Sequence, residues 1–385
     1  MTRRNDKAKN TYMKRCCALI PIIFLPFVSS VQAFEIKATH AVAIDHQTGV
    51  VIFDKAAHEK MYPASMTKMM TAHLLFEALK SGDVALSDTY TVSENAWSKQ
   101  GSKMFVPLGA AVSVDDLMHG IVIQSGNDAC ITFAEGYAGS EERFAERMTE
   151  EANDIGMKNT VFKNSTGWPD EEHVTTAYDL AVLARSTVQD YPEYYAIYAV
   201  PEFTYNGIRQ YNRNLLLSND IGVDGLKTGH TEDAGYGITI SGVKEGRRME
   251  VVVAGLTSEK ERAEEANKLY HYAFAESRNV NLFDKGKVLG AVPVWYGTSN
   301  TVDVTTDDIT IVTLPTVQKK GLAVNITYNA SLKAPVAKGQ KVGTLHITNP
   351  RFSPQTVDVL AAEDVPASSF AQRLLVNLGL LISGS

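Results

Sequence analysis

The residues with the clearest chemical potential form a Ser-x-x-Lys pattern, Ser65-Met66-Thr67-Lys68. At the start of a helix, side chains three residues apart lie on one face, so the Ser65 hydroxyl and the Lys68 amine can approach hydrogen-bonding distance. A serine hydroxyl is a weak nucleophile that needs an adjacent base, and a lysine is such a base only when burial or nearby positive charge lowers its pKa. Backbone N–H groups at the helix N-terminus face an incoming oxyanion. The pattern therefore suits acyl transfer through a covalent serine intermediate.

Taken alone, this pattern carries little weight, because the chain contains a second copy at Ser241-Gly242-Val243-Lys244. The second copy falls in a predicted strand and turn, where the two side chains need not meet. A single Ser-x-x-Lys is more simply explained by chance.

A second motif, Ser125-Gly126-Asn127, lies at the junction of two predicted helices. Ser125 can relay a proton between Lys68 and a leaving amine, and Asn127 can hold a substrate amide or the lysine amine. The same three residues are also those expected of an ordinary helix-to-helix turn.

A third motif, Lys227-Thr228-Gly229, enters a β-rich region. Lys227 and Thr228 can together bind a carboxylate, and Gly229 lets a substrate backbone pass close to the strand. The same residues would also be expected of a lysine on a strand edge and a glycine at a β-bulge, without any role in binding.

The order and spacing of the three motifs decide between these alternatives. Ser125 comes 60 residues after Ser65, and Lys227 comes 102 residues after Ser125. This is the order found in penicilloyl-serine enzymes. Three separate coincidences, each in its proper structural context, are far less plausible than one shared function.

The predicted elements around these motifs indicate an α+β domain. The pattern predicts a hairpin over residues 38–54, a helix from Met66 to Lys80, and two short helices over residues 113–139 with Ser113 and Asp116 placed like a capping box. Strands at Gly235–Ser241 and Met249–Leu256 and a charged helix over residues 258–277 follow.

The rest of the chain divides into segments with different residue patterns. Residues 281–362 are short Val-, Ile- and Thr-rich runs broken by turn residues, which predicts a small all-β module. Residues 368–382 return to helical spacing with Phe370 and Leu374 on one side and Gln372 on the other. This helix either lies in a membrane interface or docks on its own β module or a partner chain, and the residues alone favour neither.

The first 33 residues have a signal-peptide pattern: a basic start, an apolar run from Cys16 to about Val28, and Val31-Gln32-Ala33 as a cleavage site. Removing six basic residues and one acidic residue changes the net charge from −7 to −12, which argues against nucleic acid as a partner. Cys130 would be the one remaining cysteine, and its apolar neighbours predict a buried thiol. The histidines are scattered without metal-ligand spacing, so no metal or other cofactor is expected.

Longer segments around the motifs resemble the low-molecular-mass penicillin-binding proteins that are serine-type D-alanyl-D-alanine carboxypeptidases. The resemblance covers nearly all of the mature chain. It rests on the following segments: Tyr62 to Met69, Asp224 to Thr231, Asn164-Ser165-Thr166-Gly167-Trp168 and Asn212-Arg213-Asn214.

The resemblance implies a penicillin-binding transpeptidase or β-lactamase-like domain, in which helices pack on an antiparallel sheet. It further implies a small all-β domain and a C-terminal amphipathic helix. The expected organisation is a signal peptide (1–33), a catalytic domain (34–280), a β-rich domain (281–365) and a membrane-associating helix (366–385). The resemblance therefore implies an exported enzyme that lies in the periplasm, on the outer face of the inner membrane.

The resemblance also implies roles for single residues. Ser65 would be acylated, with Lys68 and Ser125 moving protons and the backbone N–H groups of Ser65 and His230 holding the oxyanion. The substrate would be held by residues that bind its terminal carboxylate or its peptide chain: Lys227, Thr228, Gly229, His230, Arg213 and Asn127. The implied partners are peptidoglycan stem peptides, β-lactam antibiotics and the membrane surface.

Three alternatives remain at this point. A serine β-lactamase shares all three motifs, but no Glu-x-x-Leu-Asn segment lies between Asn127 and Lys227, and the β-rich C-terminal part also counts against it. A DD-endopeptidase would use the same chemistry on crosslinked peptides. A non-catalytic envelope scaffold would not need the intact set of chemical residues.

Overall fold

The structure is a computed structural model that describes residues 34–317, 321–329 and 332–374. The described residues from Ile36 onward form one compact unit. The predicted signal peptide lies outside the described residues, as does the predicted C-terminal helix beyond Leu374.

Apart from a short helical segment at the end of the described chain, the helices lie between the first hairpin and the β-rich C-terminal part. In chain order they are α1 (Lys68–Ser81), α2 (Glu94–Ser98), α3 (Val114–His119), α4 (Asn127–Ala138), α5 (Glu141–Asp154), α6 (Ala177–Asp190), α7 (Pro192–Tyr195) and α8 (Glu259–Glu276).

The strands alternate with these helices in the first part and then follow one another. They are β1 (His40–Asp45), β2 (Val51–Lys55), β3 (Thr89–Thr91), β4 (Ala111–Ser113), β5 (Glu202–Tyr205), β6 (Ile208–Tyr211), β7 (Val223–Thr231), β8 (Gly235–Lys244), β9 (Arg247–Leu256), β10 (Ser277–Phe283), β11 (Gly290–Pro293), β12 (Thr301–Thr305), β13 (Thr310–Pro315), β14 (Ala323–Tyr328), β15 (Lys341–Thr348) and β16 (Gln355–Ala361).

The main sheet has the order β2-β1-β9-β8-β7, with every neighbouring pair antiparallel. Its centre is β9, where Val251, Val252 and Val253 are buried in succession because helices cover the sheet. Helices α6 and α8 pack against it. This is the predicted α+β arrangement of helices on an antiparallel sheet.

Helix α1 lies in the centre of the helical layer. Its apolar side chains are buried on all sides, as are the polar Thr71 and His73. A helix surrounded in this way holds its N-terminal turn rigidly, because core packing leaves little room to shift. The nucleophile pattern is therefore attached to one of the most constrained elements of the fold.

Most predicted elements of this part are confirmed, with small shifts at their ends. The hairpin is β1 and β2, and the Ser113 hydroxyl accepts a hydrogen bond from the backbone N of Asp116 at 3.1 Å, as a helix cap. The predicted helix start at Met66 is early, because residues 64–67 form a 3₁₀ turn before α1. The second Ser-x-x-Lys copy lies in β8, where Ser241 is buried against Glu250.

The C-terminal part is all-β, as the sequence predicts. A five-stranded sheet of order β11-β12-β16-β15-β14 and the pair β10–β13 enclose a valine-rich core that includes Val302, Val304 and Val312. This part contacts the first part through side chains, including Thr48 to Thr313 (2.6 Å between hydroxyl oxygens).

The end of the described chain is helical from Phe370 to Leu374. Phe370 is 82% exposed and Leu374 50% exposed. None of the helices among the described residues has the length and apolar character needed to span a bilayer.

Candidate active site

The nucleophile candidate Ser65 lies in the 3₁₀ turn that leads into α1, and Lys68 is the first residue of the helix. The Lys68 side chain is 1% exposed. Its Nζ lies 3.0 Å from Ser65 Oγ and donates a second hydrogen bond to the carbonyl oxygen of Thr166 at 2.6 Å. The pair has the contact that a serine and its base require.

Burial changes the chemistry of this lysine. The pKa of Lys68 is lowered to about 8, chiefly by desolvation and also by the charge of Arg213, while Cys130 and the carboxylates of Asp128 and Glu141 oppose the shift. At neutral pH roughly a tenth of the molecules then hold a neutral amine that can accept a proton, far more than for an ordinary lysine.

The Thr166 carbonyl is held in place by its own loop. Asn164 Oδ1 accepts hydrogen bonds from the backbone N atoms of Thr166, Gly167 and Trp168, at 2.8 to 3.1 Å. Gly167 has φ +77°, and a Cβ there would lie 1.8 Å from the carbonyl oxygen of Ala64. Only glycine permits this approach, so the Asn164–Trp168 segment predicted by resemblance lies directly against the nucleophile turn.

The second motif lies at a break between helices. Residues 120–124 form a π-helical turn, Ser125 has a left-handed backbone (φ 64°), and α4 begins at Asn127. Such irregular turns concentrate at functional sites. The Asn127 amide donates to the carbonyl oxygen of Gln100 at 2.7 Å, which fixes its orientation beside Ser125.

Asp128 supports this motif and was not singled out from the sequence. Its buried carboxylate accepts hydrogen bonds from the backbone N atoms of Met104 (2.8 Å), Phe105 (2.9 Å) and Val106 (3.3 Å). It thus holds the segment whose preceding residues, Gln100 and Ser102, accept hydrogen bonds from Asn127. The sequence offered a weak signal, since an acid next to a chemical motif has many possible roles.

The third motif lies on β7, the edge strand of the main sheet. Lys227 and Thr228 are buried, and Gly229 lies so close to the nucleophile turn that a Cβ would be 2.9 Å from the carbonyl oxygen of Pro63 and 3.2 Å from the backbone N of Met66. His230 follows and stacks on Tyr236, with 3.9 Å between ring centroids. Strand β7 thus brings the third motif against the first.

The site carries excess positive charge. Desolvation lowers the pKa of Lys227, and the charges of Lys68, Arg213 and Arg262 lower it further. The Arg262 guanidinium, from α8, is buried and lies 4.0 Å from Glu259. Such mutual repulsion is relieved when an anion enters, so the arrangement suits a substrate carboxylate. Nothing in the sequence separates Arg262 from the many surface charges of α8.

A cleft of about 360 Å³ joins these parts. It is lined by seven of the nine predicted site residues: Ser65, Ser125, Asn127, Arg213, Thr228, Gly229 and His230. Lys68 and Lys227 lie behind its wall as buried side chains. Trp168, Tyr236, Glu259 and Arg262 line it as well.

Arg213 reaches the cleft from a short loop that its asparagine neighbours fix. The Asn212 amide donates to the carbonyl oxygens of Tyr198 and Val200, and the Asn214 amide donates to the carbonyl oxygen of Gly225 at 2.9 Å. Asn214 therefore secures the loop to β7, and Asn212 secures it to the segment before β5.

Fold and cleft together define a serine acyl-transfer enzyme: a nucleophile on a buried helix, a lysine of lowered pKa beside it, and a cationic strand edge opposite. The known proteins that this chain resembles belong to the same class of enzyme. The sequence profile of the D-alanyl-D-alanine carboxypeptidase family matches residues 27–258, and that of the penicillin-binding protein 5 C-terminal domain matches residues 278–367. The chain belongs to the D-alanyl-D-alanine carboxypeptidase family, and it is a serine peptidase of that activity.

Individual relatives cover most of the chain. D-alanyl-D-alanine carboxypeptidase DacA of Escherichia coli K12 is 34% identical over 90% of this chain and 88% of its own length. The structure of penicillin-binding protein 5 from Haemophilus influenzae has a TM-score of 0.79 at 34% identity, covering 87% of this chain and 99% of that one. Penicillin-binding protein D2 from Listeria monocytogenes, in an ampicillin-bound form, has a TM-score of 0.58 at 26% identity, covering 63% of this chain and 98% of that one.

Proposed function

We propose that this carboxypeptidase removes the terminal D-alanine from peptidoglycan stem pentapeptides through an acyl-enzyme on Ser65. The observation that carries the proposal is the contact between Ser65 Oγ and the buried amine of Lys68 at 3.0 Å, on the floor of a cationic cleft. Such a cleft fits a substrate whose terminal carboxylate lies next to the reacting amide.

In the acylation step, neutral Lys68 takes the proton of Ser65 while the oxygen attacks the carbonyl carbon of the penultimate D-alanine. The backbone N–H groups of Ser65 and His230 stabilise the oxyanion that forms. The proton then passes through Lys68 and Ser125 to the leaving amine, and D-alanine departs with its carboxylate.

Substrate binding uses the opposite wall. Lys227, Thr228 and Arg213 hold the terminal carboxylate, and the peptide backbone lies beside β7 at Gly229, which lines the cleft. Asn127 steadies the chain on the other side. Water then attacks the acyl-enzyme, with Lys68 again the base.

A β-lactam acylates the same serine in this account, because its ring amide and carboxylate imitate the D-Ala-D-Ala end. The ampicillin-bound form of the Listeria monocytogenes relative supports this part of the proposal.

The rate of acylation by ampicillin tests the proposed base. Because the pKa of Lys68 lies near 8 and the neutral amine is the active form, we expect the rate constant to rise about tenfold per pH unit below pH 8 and to level off above it. Stopped-flow measurements from pH 5 to 10, with mass spectrometry locating the adduct on Ser65, check both points. A pH-independent rate over this range, or an adduct elsewhere, would contradict the proposal.

We further propose that the chain is exported, with residues 1–33 removed as a signal peptide, and works in the periplasm. The active unit is then a catalytic domain (34–280) followed by a β-rich domain (281–365), and residues 366–385 hold the enzyme on the outer face of the inner membrane. The exposed apolar side chains of Phe370 and Leu374 support this last point.

Membrane attachment has a direct test. We expect the chain from Phe34 onward to sediment with vesicles that contain phosphatidylglycerol, and Phe370→Glu to weaken this binding about tenfold, because the change puts a charge on the apolar side of the helix. Gln372→Glu adds the same charge on the opposite side and is the matched control. Equal binding by both variants would rule out an interfacial role for the apolar side, whereas D-alanine release should be unchanged in both.

A further inference from the structure

The loop that carries the Thr166 carbonyl closes on itself around a buried imidazole. Antiparallel bridges join Val161 to Val174 and Met61 to Thr175, so residues 161–175 form a loop with fixed ends. His173 lies inside it and is 2% exposed. No role for this histidine follows from the steps of acylation described above.

The imidazole links two parts of the site. Its Nε2 lies 2.9 Å from Thr67 Oγ1, one residue before Lys68, and its Nδ1 lies 3.2 Å from the backbone N of Lys163. A backbone N–H can only donate, so Nδ1 accepts, and the proton resides on Nε2, which donates to the Thr67 hydroxyl. The ring thus ties one arm of the loop to the nucleophile turn.

The imidazole is neutral under working conditions. The pKa of His173 is lowered to about 4, chiefly by burial; Asp170 opposes this shift, and the charge of Lys68 contributes to it. The Phe162 ring packs against it, and the carboxylates of Asp170, Glu171 and Asp233 line the small neighbouring cavity. The tautomer is therefore constant through the pH range in which the enzyme would act.

We propose that His173 is a positioning residue for the acylation step: by joining Lys163 to Thr67 it holds the Thr166 carbonyl against Lys68. A neutral amine has two N–H bonds and one lone pair. When one N–H is fixed on the Thr166 oxygen at 2.6 Å, the rotation that turns the lone pair to Ser65 is favoured. A loop free to move by about 1 Å would lose this alignment, at a cost of up to about 100-fold in rate.

Other contacts of the loop agree with this role. The Thr71 hydroxyl, one helical turn along α1, donates to the carbonyl oxygen of Ser165 at 2.6 Å. The Ser165 hydroxyl and backbone N both donate to Glu141. Thr71 thus holds the residue next to the carbonyl that receives the Lys68 hydrogen bond, and Thr67 holds the same loop indirectly, through His173 and the backbone of Lys163.

The inference rests on the proposed role of Lys68 as base, and the experiment separates the two. We expect His173→Leu to lower the rate constant for acylation by ampicillin about 10- to 100-fold, with noncovalent binding changed less than about twofold. We expect His173→Gln, which can keep a donor towards Thr67, to retain a rate within about threefold of the parent. In His173→Leu the pH of half-maximal acylation should also rise, because a loosened loop admits water to Lys68 and relieves the desolvation that lowers its pKa.

His73 provides a matched control. It is equally buried on α1 and contacts the Thr187 hydroxyl at 2.9 Å, away from the loop. His73→Leu should lower thermal stability without changing the acylation rate per folded molecule or its pH profile. A rate loss of the same size in His73→Leu would show that His173 acts through general stability and would overturn the inference.

Three further outcomes are decisive. A parent-like rate and pH profile in folded His173→Leu would overturn the positioning role while leaving Lys68 as base. If His173→Leu does not fold, Thr67→Val removes the same hydrogen bond from the other side: a tenfold slower acylation supports the inference, and an unchanged rate overturns it. If the parent itself is not acylated at Ser65, the proposed function fails first.

Discussion

Replacing Lys68 by methionine is expected to slow acylation by about 10³- to 10⁴-fold, because it removes the base and leaves the rest of the site in place. Methionine fills a similar volume and tolerates burial, so the packing of α1 should survive. Stopped-flow acylation by ampicillin, with circular dichroism to check folding, measures the effect.

The second Ser-x-x-Lys copy provides the matched control for this substitution. Lys244 is exposed at the end of β8, and Lys244→Met should acylate at the parent rate. A folded Lys68→Met variant that acylated within tenfold of the parent would show that another group takes the proton of Ser65.

Replacing Ser65 by alanine is expected to reduce D-alanine release by at least about 10⁴-fold, since no acyl-enzyme can form and only the binding and oxyanion contributions remain. Stability should change little, because the change removes one oxygen atom from the cleft wall. Release of D-alanine from a stem pentapeptide, followed with a coupled enzyme assay, measures the loss.

Ser81→Ala, at the exposed end of α1, is the matched control and should release D-alanine at the parent rate. Residual release above about a hundredth of the parent rate in pure Ser65→Ala protein would mean that a different residue carries the acyl group. Both substitutions should leave binding of the substrate carboxylate intact, because Lys227 and Arg213 are not altered.

Much of the fold could be predicted from the sequence because its signals are local. The hairpin of β1 and β2, the cap of α3 by Ser113, and the all-β C-terminal part each follow from turn residues and periodicity over a few positions. The 3₁₀ turn before α1 is not evident from the sequence, because helical spacing does not distinguish a 3₁₀ first turn from an α-helical one.

The residues of the candidate site also divide into those that the sequence predicts and those that it does not. Ser65, Lys68 and the two later motifs could be found because their residue types and order are specific. The Thr166 carbonyl could not, because it is a backbone atom whose position depends on hydrogen bonds to Asn164 and on packing against α1. Asp128 and Arg262 could not be predicted either, since their roles depend on which backbone groups or charges lie next to them in the fold.

The lowered pKa of Lys68 shows why the site needs the fold. The proposed chemistry requires a lysine with a lowered pKa, but the sequence does not show which groups surround Lys68. Burial in α1, with Arg213 nearby, supplies the shift. The chemistry therefore depends on how completely the helical layer and β7 exclude water from one amine.

Release of D-alanine from a stem pentapeptide ending in D-Ala-D-Ala, by the chain from Phe34 onward, is the decisive measurement of carboxypeptidase activity through Ser65. We expect one free D-alanine per tetrapeptide formed, with a transient adduct on Ser65 that rapid quenching and mass spectrometry can detect. No release by the folded protein, or cleavage at another bond, would contradict it.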